Sequence, residues 1–131
     1  MEVKAVRATL AECLPYLEHA AEFDTSGGVI TLGDICDGSA FFLLQADGKT
    51  VGGYAVKLAR YERASIMWVQ SASANLPGAE LSPHILSIVE QQARQLGADQ
   101  IAFATRRRGA VKKLLKAGYG HESVILRKNL K

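Results

Sequence analysis

The alternation of apolar and polar residues in the first third of the chain predicts one strand followed by helix. Residues 3–7 alternate in polarity, which is typical of a short strand. Thr9 and Glu12 have capping-box spacing, which predicts that a helix begins there. Because Pro15 removes a backbone hydrogen bond inside that helical pattern, we expect two short helices. Residues 25–39 are glycine-rich and are expected to form a loop with at most a short helical turn.

The middle of the chain predicts three consecutive strands. Residues 40–46 are apolar on both faces, and the Asp-Gly pair at 47–48 is a strong turn signal. Alternation resumes from Tyr54, which completes a hairpin, and a third strand follows at 65–72. The glycine pair at 52–53 suggests a bulge or a close backbone approach early in the second strand of the hairpin. The three strands should form an antiparallel meander.

The last third alternates helix and strand. The pair Ser82-Pro83 predicts a helix N-cap followed by proline, and an apolar stripe at helical spacing runs from there to Gly97. Residues 100–105 predict a strand, and a shorter helix is closed by Gly118. A final strand is predicted at 123–127. The expected architecture is one α/β (α+β) domain over residues 1–131, of order β-α-α-β-β-β-α-β-α-β, with a mixed sheet flanked by helices.

Two passages give this order a family likeness. Residues 85–101, ILSIVEQQARQLGADQI, and residues 113–126, KLLKAGYGHESVIL, with the element order, resemble the GCN5-related N-acetyltransferase (GNAT) family. The resemblance spans nearly the whole chain. It implies the acyl-CoA N-acyltransferase fold, acetyl-CoA as the acyl donor and an amine as the acceptor.

The loop before the long helix departs from the pattern of that family. The resemblance places residues 77–82, PGAELS, on the glycine-rich loop that holds the cofactor pyrophosphate, and it implies backbone contacts from Gly78, Ala79 and Ser82. Glu80 brings negative charge where a glycine is usual. The same residues also fit a plain turn leading into a capped helix. The pyrophosphate-binding loop is therefore degenerate.

The resemblance also implies the rest of the site. The middle strand, at Gln70, Ala72 and Ser73, is expected to bond the pantetheine arm and the thioester carbonyl. Arg107 stands where the family often carries asparagine and, with its basic neighbours, is a candidate for cofactor phosphate binding. Leu114 replaces the usual tyrosine acid, so Tyr119 is the nearest phenol for a catalytic role. A packing role for Tyr119 is the alternative.

Composition and charge narrow these interpretations. The 131 residues are 48% apolar and 22% charged, as expected of one globular domain. Residues 1–50 carry eight acidic and three basic residues, and residues 51–131 carry five acidic and thirteen basic ones, which hints at an anionic partner for the second part. No membrane span or signal peptide is apparent, so a cytoplasmic protein is expected. Cys13 and Cys36 are expected to be buried free thiols, with no metal site.

Three hypotheses follow. The leading one is an acetyl-CoA-dependent N-acetyltransferase of unknown amine acceptor, small molecule or protein. The alternative is a non-catalytic GNAT-fold binding or assembly module that has lost this chemistry. The third, a nucleic-acid-binding protein using the basic residues from Arg106 to Lys116, is not favoured, because few aromatic residues accompany them. The sequence leaves the oligomeric state open, a homodimer included.

Overall fold

A computed structural model describes residues 1–21, 32–104 and 108–122, together with residues 126, 128 and 130. The strands are β1 (Val3–Ala8), β2 (Ala40–Ala46), β3 (Lys49–Arg60), β4 (Ser65–Ala74) and β5 (Gln100–Phe103). The helices are α1 (Leu10–Ala21), α2 (Leu32–Cys36), α3 (Ser82–Gln95) and α4 (Arg108–Lys116). This order agrees with the predicted one from the first strand through the last helix. The predicted final strand at 123–127 lies largely outside the described residues.

One mixed sheet organises the fold, with its strands in sequential order. Strands β1 to β4 pair antiparallel with their neighbours, whereas β5 pairs parallel to β4 because α3 crosses over between them. Helix α1 packs against one face through the buried residues Cys13 and Leu17. Helix α3 covers the larger core on the other face through Val89 and Ala93. The result is the single mixed-sheet domain that the sequence predicts.

Helix α1 remains continuous through its proline. The capping box forms as predicted, with the Thr9 amide donating to Glu12 Oε1 at 3.0 Å and the Glu12 amide donating to Thr9 Oγ1 at 3.3 Å. The expected division into two short helices at Pro15 is wrong. Buried Cys13 and Leu17 anchor the helix on either side of the proline, and packing of this kind outweighs the loss of one backbone bond. The second helix is instead α2, a five-residue helix that matches the short helical turn expected within residues 25–39.

The β2–β3 hairpin turns at Asp47 and Gly48, whose φ angles of 49° and 82° are both left-handed, as a two-residue turn of type I′ requires. Leu44 pairs with Gly52 but Gln45 pairs with Thr50, so Val51 is an extra residue and forms a bulge. Gly52 also approaches β4 closely. A Cβ on Gly52 would overlap the carbonyl oxygen of Ser73. Both roles predicted for the glycine pair are therefore confirmed at this position.

Helix α3 is tied to the sheet by a buried polar contact and begins one residue earlier than expected. The Tyr54 hydroxyl, fully buried in β3, donates to Gln92 Oε1 at 2.7 Å. The N-cap residue is Leu81, without a side-chain capping bond, so the prediction of a Ser82 N-cap is wrong. The acceptor for the Ser82 amide comes instead from Glu80. At the other end Gly97, with φ 74°, ends the helix as predicted.

Both cysteines are free, as expected, but only one is buried. The Cys13 thiol is fully enclosed and donates to the Phe42 carbonyl oxygen at 3.3 Å, whereas Cys36 is half-buried. Burial raises the pKa of both thiols, which favours the unreactive protonated form. Within the described part of the chain, no helix is long and apolar enough to cross a membrane.

Candidate functional site

The sheet opens where β4 runs past the end of β5. The two strands pair over only four residues of each, from Ile66 with Gln100 to Val69 with Phe103. Strand β4 then continues through residues 70–74, and no strand among the described residues pairs with it on that side. Unpaired backbone N–H and C=O groups on a strand edge are ready to bond an extended ligand. We call residues 70–74 the open edge of β4.

A bulge begins the open edge. On the β3 side, Val69 pairs with Val56 and Ser71 pairs with Ala55, so Gln70 has no partner residue. Bulges of this kind bend a strand and disrupt its hydrogen-bonding ladder. The structure thus places Gln70, Ala72 and Ser73, the residues predicted to contact a pantetheine arm, together on one half-buried segment.

A tight turn connects the open edge to α3. The Ala79 amide donates to the Leu76 carbonyl oxygen at 3.1 Å, and Gly78 has φ 79°, so Pro77 and Gly78 occupy the central positions of a turn with type II character. The turn predicted at these residues therefore forms, although the helix that follows is not capped by Ser82. The amide of Ala79, one of the predicted pyrophosphate contacts, is already bonded within the chain.

The N-terminus of α3 holds a carboxylate from its own chain. Glu80 Oε1 accepts the Ser82 amide hydrogen bond at 3.1 Å. The ammonium group of Lys113, on α4, lies 3.3 Å from that same oxygen and 3.3 Å from Ser82 Oγ. Hydrogen bonds from Ser82 and Lys113 lower the pKa of Glu80, which keeps it ionised. We call Glu80, Ser82 and Lys113 the α3 anion cluster.

Few donors remain there for a phosphate group. Ser82 donates to Glu80, Pro83 has no N–H, and the Ile85 amide donates to the Leu81 carbonyl oxygen at 3.0 Å. Of residues 82–85, only His84 keeps its amide without a partner among the described residues. A diphosphate needs several such donors and no competing negative charge. The open edge of β4 thus fits a pantetheine arm, whereas the α3 N-terminus as it stands does not fit the pyrophosphate of coenzyme A.

Tyr119 packs against the last residue of β5. Its ring packs edge-on against Phe103, with centroids 5.5 Å apart, and its hydroxyl donates to Glu90 Oε1 on α3 at 3.0 Å. Burial, with the Glu90 carboxylate, raises the pKa of Tyr119 far above its usual value. A phenol held this way is a poor proton donor near neutral pH. These contacts favour the packing role over the acid role.

The remaining predicted contacts are spread out. Arg107 lies outside the described residues. Of its basic neighbours on α4, Lys113 belongs to the α3 anion cluster, while Arg108, Lys112 and Lys116 are exposed. The negative charge of Glu80 was apparent from the sequence. Its pairing with Lys113 was not predicted, because the two residues are 33 positions apart.

Solved structures define the fold of this chain. The chain matches glucosamine-6-phosphate N-acetyltransferase from Arabidopsis thaliana with a TM-score of 0.64 and 12% identity, covering 100% of each chain. It matches ribosomal-protein-alanine N-acetyltransferase from Brucella melitensis biovar Abortus 2308 with a TM-score of 0.68 and 12% identity, covering 98% of this chain and 100% of that one. It also matches a transcriptional regulator from Bacillus halodurans C-125 with a TM-score of 0.68 and 14% identity, covering 97% and 100%.

The chain has the acyl-CoA N-acyltransferase fold of the GNAT acetyltransferases, as the sequence predicts. No protein-family model and no curated protein matches the sequence. At these identities the likeness establishes the fold alone, and the similar structures include both acetyltransferases and a transcriptional regulator. The function of this chain therefore depends on the residues of its own site.

Proposed function

We propose that the protein is an N-acyltransferase that takes an acetyl group from acetyl-CoA, with the thioester arm lying along the open edge of β4. The observation that carries the proposal is the separation of β4 from β5 after Val69, with the bulge at Gln70. Such an edge offers main-chain donors and acceptors to the amides of a pantetheine arm, as a neighbouring strand would. Support also comes from the acetyltransferases that share this fold.

In this proposal the chain binds and orients the donor chiefly through its backbone. Gln70 at the bulge and Ala72 contribute main-chain groups to the arm and to the carbonyl oxygen. The main-chain groups of Ser73 face β3 instead, in the register that bonds the Asn75 amide to the Val51 carbonyl oxygen. A bound acetyl thioester supplies an activated carbonyl; transfer to an amine forms the C–N bond, breaks the C–S bond and moves one proton from nitrogen to sulfur. Tyr119 is the phenol that the sequence offers as proton donor to the sulfur, but its hydroxyl donates to Glu90, so the proposed transfer does not depend on it.

The acceptor is an amine whose identity we leave open. The similar structures include N-acetyltransferases named for acceptors as different as glucosamine-6-phosphate and a ribosomal-protein alanine. Glu62 and Tyr61, the acidic and phenolic side chains just before β4, are separated from Gln70 by roughly 16 Å of strand or more. Neither residue is therefore in a position to deprotonate an amine at the open edge.

A second candidate function is a GNAT-fold binding module without acyl transfer. The α3 anion cluster favours it, because the negative charge of Glu80 stands where the cofactor diphosphate would be expected. This candidate shares the fold and the open edge, and it differs only in what the edge binds.

Calorimetric titration with acetyl-CoA and coenzyme A, backed by a thermal shift, separates the two candidates. A ligand at 100 times its Kd stabilises the folded chain by about 2.7 kcal/mol. The proposal expects saturable heat and a rise in Tm, followed by acetyl transfer to at least one amine in a screen of small amines and peptide N-termini. Absence of heat and shift at millimolar acetyl-CoA would eliminate the acyltransferase.

A further inference from the structure

The carboxylate at the start of α3 bonds the groups that an incoming phosphate would need. We propose that Glu80 is an internal competitor for the diphosphate of coenzyme A, and that tight cofactor binding requires its displacement from Ser82 and Lys113. The 3.1 Å contact to the Ser82 amide and the 3.3 Å contact to the Lys113 ammonium group carry this inference. It rests on the proposed function for the identity of its ligand.

The competitor is weakly held. The side chains of Glu80 and Lys113 are 60% and 53% exposed, and exposed ion pairs of this kind contribute little to stability. A diphosphate can therefore displace Glu80 and pair with the freed Lys113. Until it does, the carboxylate repels the ligand and occupies its donors, so Glu80 lowers cofactor affinity without abolishing it.

The consequence is selectivity by charge. A ligand with the pantetheine arm but no diphosphate uses only the open edge of β4, so the competitor does not affect its binding. A ligand with the diphosphate must displace Glu80 first. Glu80 is thus a specificity-determining residue that narrows the difference in affinity between coenzyme A and pantetheine.

Two variants and a matched control test this role. Glu80→Gln removes the charge, and Glu80→Ala also removes the acceptor of the Ser82 amide. Glu62→Gln makes the same charge change at an exposed position in the β3–β4 turn. By calorimetry, we expect both Glu80 variants to bind coenzyme A about tenfold more tightly, as for loss of one opposing charged contact. Pantetheine affinity should change less than about twofold in all three variants.

Each outcome decides the matter. Coenzyme A affinity that stays unchanged in both Glu80 variants would overturn the inference while leaving the proposed function intact, and so would an equal gain for pantetheine. If the wild type binds neither ligand, the proposed function fails by itself, and inorganic pyrophosphate becomes the probe. Amide shifts at Ser82 and His84 in Glu80→Ala but not in the wild type would then support the competitor, and their absence in both would overturn it.

Discussion

The two parts of the candidate site, the open edge of β4 and the α3 anion cluster, are built in different ways. The open edge of β4 is a property of the backbone, since it follows from where β5 ends and where Gln70 bulges. The N-terminus of α3 is controlled by side chains, because Glu80 and Lys113 fill it. Chains with the same fold can therefore keep the open edge of β4 while a single substitution changes the N-terminus of α3.

This difference explains why the fold matches that of the GNAT acetyltransferases while the loop before α3 does not fit a diphosphate. Backbone geometry withstands extensive sequence change so long as the core packs, which is consistent with fold similarity at 12–14% identity. A cluster of exposed side chains has no such protection. Substitutions can act on either part of the site, or on the contacts that hold α3 against the sheet.

The largest effect on stability is expected from Gly52→Ala, which disturbs the pairing of β3 with the open edge of β4. The added Cβ would overlap the Ser73 carbonyl oxygen and lie 2.5 Å from the Ala74 Cβ, so β3 and β4 must separate. We expect a loss of about 3 kcal/mol in the free energy of unfolding, by overpacking against backbone. Denaturant unfolding measures this loss.

Gly109→Ala is the matched control for that substitution. Gly109 lies in α4 with open space around its missing Cβ, so alanine there should stabilise the fold by about 0.5 kcal/mol. Equal stability of the two variants would mean that β3 and β4 do not approach each other as closely as described.

A smaller effect is expected from Tyr54→Phe, which loosens the contact between the sheet and α3. Removing the hydroxyl leaves Gln92 without its buried donor, at a cost of about 1 kcal/mol. The control is Tyr61→Phe. Because Tyr61 is 57% exposed, loss of its hydroxyl should lower the free energy of unfolding by less than about 0.5 kcal/mol. A smaller Tm for Tyr61→Phe than for Tyr54→Phe would contradict the account of how α3 is held.

Tyr119→Phe tests whether the Tyr119 hydroxyl has a role in acetyl transfer. The raised pKa and the Glu90 partner favour packing, so we expect kcat for acetyl transfer to change less than about threefold. A fall of about 100-fold, with altered pH dependence, would instead assign proton donation to this phenol.

The smallest expected effect is the pH dependence of the α3 anion cluster. Because the folded-state pKa of Glu80 is lowered, its hydrogen bond with the Ser82 amide is complete above the ordinary carboxyl pKa of about 4.3 and is lost as the pH falls through the folded value. The amide shift of Ser82 should therefore titrate with a midpoint below about 4.3. A midpoint at or above the ordinary value would mean that Ser82 and Lys113 do not hold the carboxylate.

Local patterns in the sequence predicted most of the fold. The capping box at Thr9, the Asp47-Gly48 turn and the stop at Gly97 each depend on neighbouring residues, so they could be recognised in the sequence. Pro15 misled the prediction because the packing of Cys13 and Leu17 is set by the distant sheet.

The candidate site was only half predictable. The grouping of Gln70, Ala72 and Ser73 follows from the strand that contains them, once the family likeness points to that strand. The Glu80–Lys113 and Tyr119–Glu90 contacts join residues 33 and 29 positions apart, and side-chain partners at such separations depend on how α3 and α4 pack. No local pattern carries that information.

Amide chemical-shift mapping with acetyl-CoA tests the central claim most directly, because it locates the ligand on the chain. The account predicts the largest changes along residues 70–74, with smaller changes at Ser82 that grow in Glu80→Ala. Changes confined to the basic residues of α4, or no changes at millimolar acetyl-CoA, would contradict a thioester arm on the open edge of β4.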